Sequence, residues 1–430
     1  MGYLRYVESF DSAYLRRPEM DDSAIESSVR TIIDDVRERG DEALREYERR
    51  FDNTELDELF VREEEIDEAE KKVPESLKDA IRKAAGNIAA FHRAQMPEGE
   101  AVETEKGVLC SRRIVPIEKV GLYIPGGTAP LFSTVLMLAI PASIAGCSDI
   151  MLSTPAKDGA ISPAILYAAR ISGVTRILKA GGAQAIAALA YGTESVPKRD
   201  KIFGPGNRFV SMAKMMVSKS VAIDMLAGPS EVLVIADETA DPAFVSSDLL
   251  SQAEHGRDSQ AMLMILADSK EKGRAIYESV ERELGKHLGM LSRSEYLLSS
   301  LSSSAAFFFS DKKELMDAVN EYAPEHLIIN TADPDDLLSY VRNAGSVFLG
   351  PYSPESAGDY ASGTNHTLPT SGWAVSSSGV SVDSFIKKIT VQRLSREGIG
   401  RLEPVVYEMA MAEGLEAHAL AARIRVDGRC

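Results

Sequence analysis

The sequence predicts an α/β protein of two units with mostly parallel sheets, flanked by helical extensions. Three observations carry that expectation. From Val108 onward, short β-branched runs alternate with helical segments. The alternation breaks at Ala227-Gly228-Pro229-Ser230 and then restarts. The stretches before residue 108 and after about 376 carry helical spacing instead. Strand and helix alternating in this way imply right-handed crossovers, and therefore parallel neighbours.

In the N-terminal region, 1–107, Asp21, Asp22 and Ser23 offer caps ahead of Ile25, Val29, Ile32, Ile33 and Val36, whose spacing is helical. Gly40 interrupts, and a second helix runs to Phe51. Residues 57–72 are acidic and read as solvated. Pro74-Glu75-Ser76 opens a helix through Leu77, Ile81, Ala84, Ala85, Ile88 and Phe91, with proline at the favoured first turn. His92, beside Arg93 at its end, reads as an exposed residue.

The first α/β unit, 108–228, has expected strands at 108–110, 120–124, 149–153, 176–179, 201–203 and 221–224, with helices at 131–145, 162–172, 184–191 and 208–218. The apolar run 135–147 contains Pro141 and is too short to span a bilayer, so it reads as a buried helix. The second unit, 229–375, has expected strands at 231–236, 262–267, 305–309, 326–329 and 347–349. Its helices end at His255 or begin at Lys270, Lys312 and Pro334. The tail, 376–430, carries helices near 384–389 and 403–425.

With 430 residues, 44% of them hydrophobic and 26% charged, the chain has ample material for a core without disulfides. A net charge of -17 argues against a nucleic-acid surface, which needs clustered Lys and Arg. Cys110, Cys147 and Cys430 are too few and too scattered for a disulfide framework or a zinc finger, which favours a reducing compartment. Glu8, Asp11 and Glu19 do not suit a signal peptide, and no run is long enough for a membrane span. A cytoplasmic protein without nucleic-acid or membrane partners is expected.

Three glycine turns each join an expected strand to an expected helix: Tyr123-Ile124-Pro125-Gly126-Gly127-Thr128, Ala180-Gly181-Gly182-Ala183-Gln184 and Phe203-Gly204-Pro205-Gly206-Asn207. None matches the dinucleotide fingerprint G-x-G-x-x-G. Each alone reads as a tight loop, but three at the strand ends of one parallel sheet would line one crevice, and helix N-terminal amides there suit a phosphate. Together they favour a nucleotide site.

Of the six histidines, His92 and His287 read as surface positions. His255, His326, His366 and His418 stand in polar contexts. Gln252 and His255, three apart at a helix end closed by Gly256, share one face. With a carboxylate such as Asp359 they supply the donor types zinc takes, although wide sequence separation leaves metal ligands and structural histidines evenly balanced. Glu325-His326 is the better acid/base candidate: imidazole titrates near neutrality, and a carboxylate can activate water, as alcohol and aldehyde oxidation require.

These motifs resemble the histidinol dehydrogenase family. The match runs from about residue 100 to the C-terminus through the three glycine turns, Ala227-Gly228-Pro229-Ser230-Glu231, Ser251-Gln252-Ala253-Glu254-His255-Gly256, Ala323-Pro324-Glu325-His326, Asn365-His366-Thr367-Leu368-Pro369-Thr370 and Glu413-Gly414-Leu415-Glu416-Ala417-His418. The resemblance implies oxidation of L-histidinol to L-histidine through L-histidinal, with two NAD+ consumed in succession, as the last step of histidine biosynthesis. It implies zinc ligands Gln252, His255, Asp359 and His418, the last reaching across a homodimer. It gives Glu325 and His326 as the catalytic pair. It places Ser230, Gln252, His255, His326, Asp359, His366, Glu413 and His418 at the substrate, and Tyr123, Gln184 and Asn207 at NAD. The implied fold is two incomplete Rossmann-like units, with region 1–107 packing on the second unit and the tail 376–430 making dimer contacts.

Three other classes compete. A Cys-dependent aldehyde dehydrogenase needs an accessible thiolate, for which Cys110 near Arg112 and Arg113 is the best placed residue. A zinc hydrolase would leave the glycine turns unused and lacks a two-His protease motif. A non-enzymatic binding module gives no reason for Glu325 beside His326.

Overall fold

The computed structural model describes residues 2–17, 22–126, 130–225 and 228–427. Glu19, Asp21, Gly127, Thr128, Ala227 and Cys430, which enter the expectations above, lie outside the described residues.

The chain opens with strand β1 (Arg5–Val7) and four helices, α1 (Ser23–Arg39), α2 (Asp41–Phe51), α3 (Glu63–Lys72) and α4 (Glu75–Arg93). Helix α1 buries Val29, Ile32, Ile33 and Val36, one apolar stripe of an amphipathic helix. The acidic stretch expected to be solvated forms α3, which buries Ala69 and meets Arg170 through Asp67.

Strands β2 (Ala101–Glu105) and β3 (Val108–Pro116) come next. The first α/β unit then runs β4 (Lys119–Tyr123), α5 (Phe132–Ala145), β5 (Asp149–Ser153), α6 (Pro163–Ser172), β6 (Arg176–Leu178), α7 (Gly182–Tyr191), β7 (Lys201–Phe203), α8 (Arg208–Val217) and β8 (Ala222–Ile223). Its five strands are parallel, in the order β6-β5-β4-β7-β8. Helices cover such a sheet on both faces, so Val120, Leu122, Ile150, Leu152, Ile202 and Phe203 are all buried. The apolar run around Pro141 is the buried helix α5.

The second unit runs β9 (Glu231–Ala236), α9 (Pro242–Ala253), β10 (Gln260–Leu266), α10 (Lys270–Leu288), α11 (Ser294–Ser302), β11 (Ala305–Phe309), α12 (Lys312–Tyr322), β12 (His326–Asn330), α13 (Pro334–Leu338), β13 (Ser346–Leu349) and α14 (Glu355–Tyr360). These strands form a second parallel sheet in the order β1-β11-β10-β9-β12-β13, with the N-terminal strand at one edge. The chain ends with β14 (Ile386–Leu394), α15 (Arg396–Ala412) and α16 (Glu416–Asp427). Among the described residues no helix is long and apolar enough to cross a membrane.

Four expectations are corrected. The strand foreseen at 108–110 is longer and lies outside the parallel sheet, in a separate antiparallel sheet of order β14-β3-β2. Residues 386–394 are extended, because they pair along the whole of β3, whereas a helix was expected near 384–389. The helix foreseen at 403–425 is two helices, separated at Gly414, whose φ of +76° a helix cannot continue through. The N-terminal helices pack on the first unit, not the second: α1 lies against α7 and α8, α3 against α6, and α4 against α5, and only β1 joins the second sheet. The reason is their apolar stripes, which share one core with β4, β5 and their helices.

Candidate active site

Strands β9 and β12 are neighbours in the second sheet, and their pairing sets His326 opposite Val232. The main chain of Glu231 therefore reaches both members of the adjacent Glu325-His326 pair. Its N–H donates to Glu325 Oε2 at 2.9 Å, and its carbonyl oxygen lies 3.1 Å from His326 Nδ1. Ala323, at φ +48°, turns the chain ahead of β12, so that both side chains are used at one place although strand neighbours normally point apart. The Glu231 carboxylate is itself clamped by Arg17 at 2.5 and 2.8 Å and by the Ser371 N–H at 2.8 Å.

The other side of His326 faces α14. His326 Nε2 lies 3.6 Å from Asp359 Oδ1, is buried and has no hydrogen-bond partner. Glu355 precedes Asp359 by one helical turn, so both carboxylates share a face. One donor atom from each of His255, Glu355 and Asp359 lies within 4.8 Å of the others. Gln252, in the last turn of α9, adjoins them. In the orientation that satisfies its neighbours, its amide nitrogen donates to Glu355 and its oxygen accepts from the Glu231 N–H at 2.9 Å.

The electrostatics of this cluster are unbalanced. Among the described residues, Glu325 and Asp359 form ion pairs only with His326, and Glu355 and Asp248 form none. Burial pushes the Glu325 carboxyl up to about 8 and the Asp248 carboxyl up to about 7. Glu355 is raised well above the carboxylate range by burial and by the neighbouring carboxylates. Burial alone would lower His326, but Glu355, Glu325 and Asp359 outweigh it and hold the imidazole at about 10. Buried carboxylates without a cationic partner are costly. A divalent cation among His255, Glu355 and Asp359 would relieve that cost, and imidazole with carboxylate is a donor set that zinc accepts.

Other expected residues distribute as follows. Ser230 and His255 line a cavity of 790 Å³ that also touches Asn207. His366 has both ring nitrogens engaged, with Asp359 O at 2.9 Å and Thr134 Oγ1 at 3.1 Å. Glu413 and His418 are exposed at the C-terminal helices and take no part in the cluster within this chain. His92, expected to be exposed, is fully buried, with Nδ1 2.8 Å from Ile88 O. Its position one turn after Ile88 on the buried stripe accounts for this. His287 is partly buried against Ser246.

Tyr123, Gln184 and Asn207 come together in a second cavity, of 680 Å³, at the strand ends of the first sheet. Asn207 and Phe209 line both cavities, so the two are adjacent. The glycine turns shape the second cavity sterically. A Cβ on Gly204, at φ +117°, would overlap the Tyr123 carbonyl oxygen. The expectation of free helix N-terminal amides fails at α7: the Gly181 N–H is taken by Glu48 at 3.0 Å and the Gly182 N–H by the Tyr123 hydroxyl at 3.1 Å. At α8 the Asn207 side chain caps the Val210 N–H at 3.1 Å.

Sequence reasoning passed over Glu355, Glu231 and Glu48. For Glu355 the available signal was its spacing of four from Asp359. Among the described residues neither thiol suits a nucleophile here: burial pushes Cys147 up to about 12, and Cys110 lies on β3 in the antiparallel sheet.

The α/β fold holds a buried Glu-His pair, a cluster of imidazole and carboxylates and an adjoining cavity bordered by glycine turns, and the comparisons place the chain among the oxidoreductases. The family profile described as histidinol dehydrogenase matches residues 15–426. Histidinol dehydrogenase from Bacteroides fragilis is 56% identical over 415 residues, 96% of each chain. That from Escherichia coli is 51% identical over 419 residues, 96% of this chain and 94% of its own. The crystal structure of histidinol dehydrogenase from Elizabethkingia anophelis superposes with a TM-score of 0.95 at 45% identity, covering 100% of this chain and 99% of that one. The chain belongs to the histidinol dehydrogenase family. Membership assigns it the oxidation of histidinol in histidine biosynthesis.

Proposed function

We propose that this chain carries L-histidinol through L-histidinal to L-histidine in two NAD-dependent oxidations at the His326 cluster. What supports this most is one juxtaposition: the buried His326 has Glu325 on one side and Asp359, beside His255 and Glu355, on the other. An imidazole, a water-activating carboxylate and a cation site are thereby held together next to a cavity suited to a dinucleotide.

NAD would supply the hydride acceptor of each oxidation, and zinc would supply positive charge that offsets the buried carboxylates and helps to orient the substrate. Gln252, His255 and Asp359, with His418 of a second subunit, are the residues assigned to zinc. Glu355 belongs beside them, through its contact with the Gln252 amide. The Gln252 oxygen must leave the Glu231 N–H to serve as a ligand. Ser230, His366 and Glu413 are assigned to the substrate, and Tyr123, Gln184 and Asn207 to NAD.

The chain's own residues then act in turn. His326 removes the hydroxyl proton of histidinol as hydride leaves the carbon. Glu325, within reach of the same centre, takes a proton from water as it adds to the aldehyde. His326 removes a proton again as the hydrated aldehyde loses its second hydride. The cluster contributes chiefly by orientation and proximity.

A homodimer follows from His418 and Glu413. Both are exposed on the C-terminal helices, next to exposed Met409, Met411, Leu415 and Leu420. Such an apolar patch suits burial against a partner. A cytoplasmic location is part of the same reading. The deciding experiment counts NADH formed per histidinol, with and without a chelator. Two per histidinol, lost on chelation and restored by zinc, is the expected result, and one per histidinol would refute it.

A further inference from the structure

Glu48 lies in α2, in the N-terminal extension, and is fully buried. One carboxylate oxygen accepts from two donors at the start of α7: the Gly181 N–H at 3.0 Å and Gln184 Nε2 at 2.9 Å. Gly181 is the N-cap of that helix, so the carboxylate also meets the positive end of the helix dipole.

The consequence falls on Gln184. Its NH2 is committed to Glu48, which fixes which way the amide faces. Its Oε1 is buried and has no hydrogen-bond partner. A buried carbonyl oxygen without a donor is an unfavourable state that a ligand N–H would relieve. Gln184 lines the 680 Å³ cavity together with Tyr123 and Asn207.

We propose that Glu48 is a positioning residue of this cavity, orienting the Gln184 amide so that its oxygen accepts an N–H from the dinucleotide. This rests on the cavity being the NAD site. Two groups of NAD carry the required chemistry, the nicotinamide carboxamide and the amino group of adenine. Because Glu48 already occupies the N-terminus of α7, the diphosphate is kept away from that turn.

The test measures dissociation constants on the full-length protein for NAD+ and two analogues. The 3-acetylpyridine analogue lacks the carboxamide amine, and the hypoxanthine analogue lacks the adenine amine. The wild-type protein is expected to bind one of them about tenfold more weakly than NAD+, the value of one hydrogen bond. Which analogue is penalised identifies the donor. Gln184→Ala should weaken NAD+ and abolish the penalty. Glu48→Met, which keeps the volume but frees the amide to turn over, should abolish it too. Glu48→Gln should restore it, since its carbonyl oxygen can take the same two donors. Adding Gln184→Ala to Glu48→Met should change nothing further.

A folded Glu48→Met protein with the wild-type ratio overturns the proposal, as does wild-type protein that binds both analogues like NAD+. If Glu48→Met does not fold, Glu48→Asp, whose shorter carboxylate withdraws from Gln184, must reduce the ratio, and an unchanged ratio counts against the proposal. Unchanged NAD+ affinity in Gln184→Ala overturns instead the placement of NAD in this cavity.

Discussion

His326 Nδ1 lies 3.1 Å from the carbonyl oxygen of Glu231 on the neighbouring strand. A carbonyl can only accept, so Nδ1 keeps its proton, and Nε2, towards Asp359, is the nitrogen that becomes the basic lone pair once the imidazolium gives up its second proton. His326→Asn should therefore lower turnover of both histidinol and histidinal by roughly 10²- to 10⁴-fold. Glu325→Gln should retain oxidation of histidinol and lose that of histidinal by a similar factor. Assaying the two substrates separately distinguishes these; histidinal oxidation that survives Glu325→Gln would assign water activation elsewhere.

Arg17 supports the same pair from a distance. It grips the buried Glu231 carboxylate and donates to Tyr322 O at 2.7 Å. Arg17→Ala leaves that carboxylate uncompensated and should destabilise the fold by about 2–4 kcal/mol, since breaking a buried pair is costly. Denaturant unfolding reads this directly. A loss under about 0.5 kcal/mol would make the pair equivalent to a surface salt bridge.

His418→Asn should weaken zinc retention in chelator competition, although His418 is exposed and outside the cluster of its own chain. Mixing His418→Asn with His255→Asn subunits should restore part of the activity, because one site of each hybrid dimer is intact. Verified hybrids without recovery would exclude a shared site.

Glu48 gives the protein a pH-dependent stability term. Burial pushes its carboxyl from 4.5 up to about 7. The folded state thus holds a proton that the unfolded chain releases between those values. Its contribution is fully present below about pH 4.5 and is lost as pH rises through 7. Glu48→Gln removes this loss and should be more stable than wild type at pH 8, by on the order of 2–3 kcal/mol. Melting curves at pH 5 and pH 8 check this: the gain should appear at pH 8 alone.

Legibility from sequence followed burial. Parallel strands covered on both faces read as continuous apolar runs, so Glu231–Ala236 and Ala305–Phe309 were placed within a residue. Strand Ile386–Leu394 carries Lys387, Lys388, Gln392 and Arg393 and is exposed along most of its length. Only its distant partner Val108–Pro116 makes it extended, and local composition holds no trace of that pairing. The site shows the same division. Glu325-His326 and the Gln252 and His255 motif stood out through adjacent functional residue types. Glu48 and Glu231 act by burial and by hydrogen bonds across more than ninety residues, which no local pattern encodes.

Strand β1 pairs Arg5 with Ala305. On the ribosome, β1 must therefore wait until Ala305 has been made before its partner emerges. Meanwhile the helices that follow it can settle on the first sheet. Synthesis thus leaves an early, unpaired tether that is fastened only when the second sheet is complete, and closing so long a loop belongs to the slow end of assembly. Shortening the chain at its start would then impair the last part of the molecule to fold, not the first.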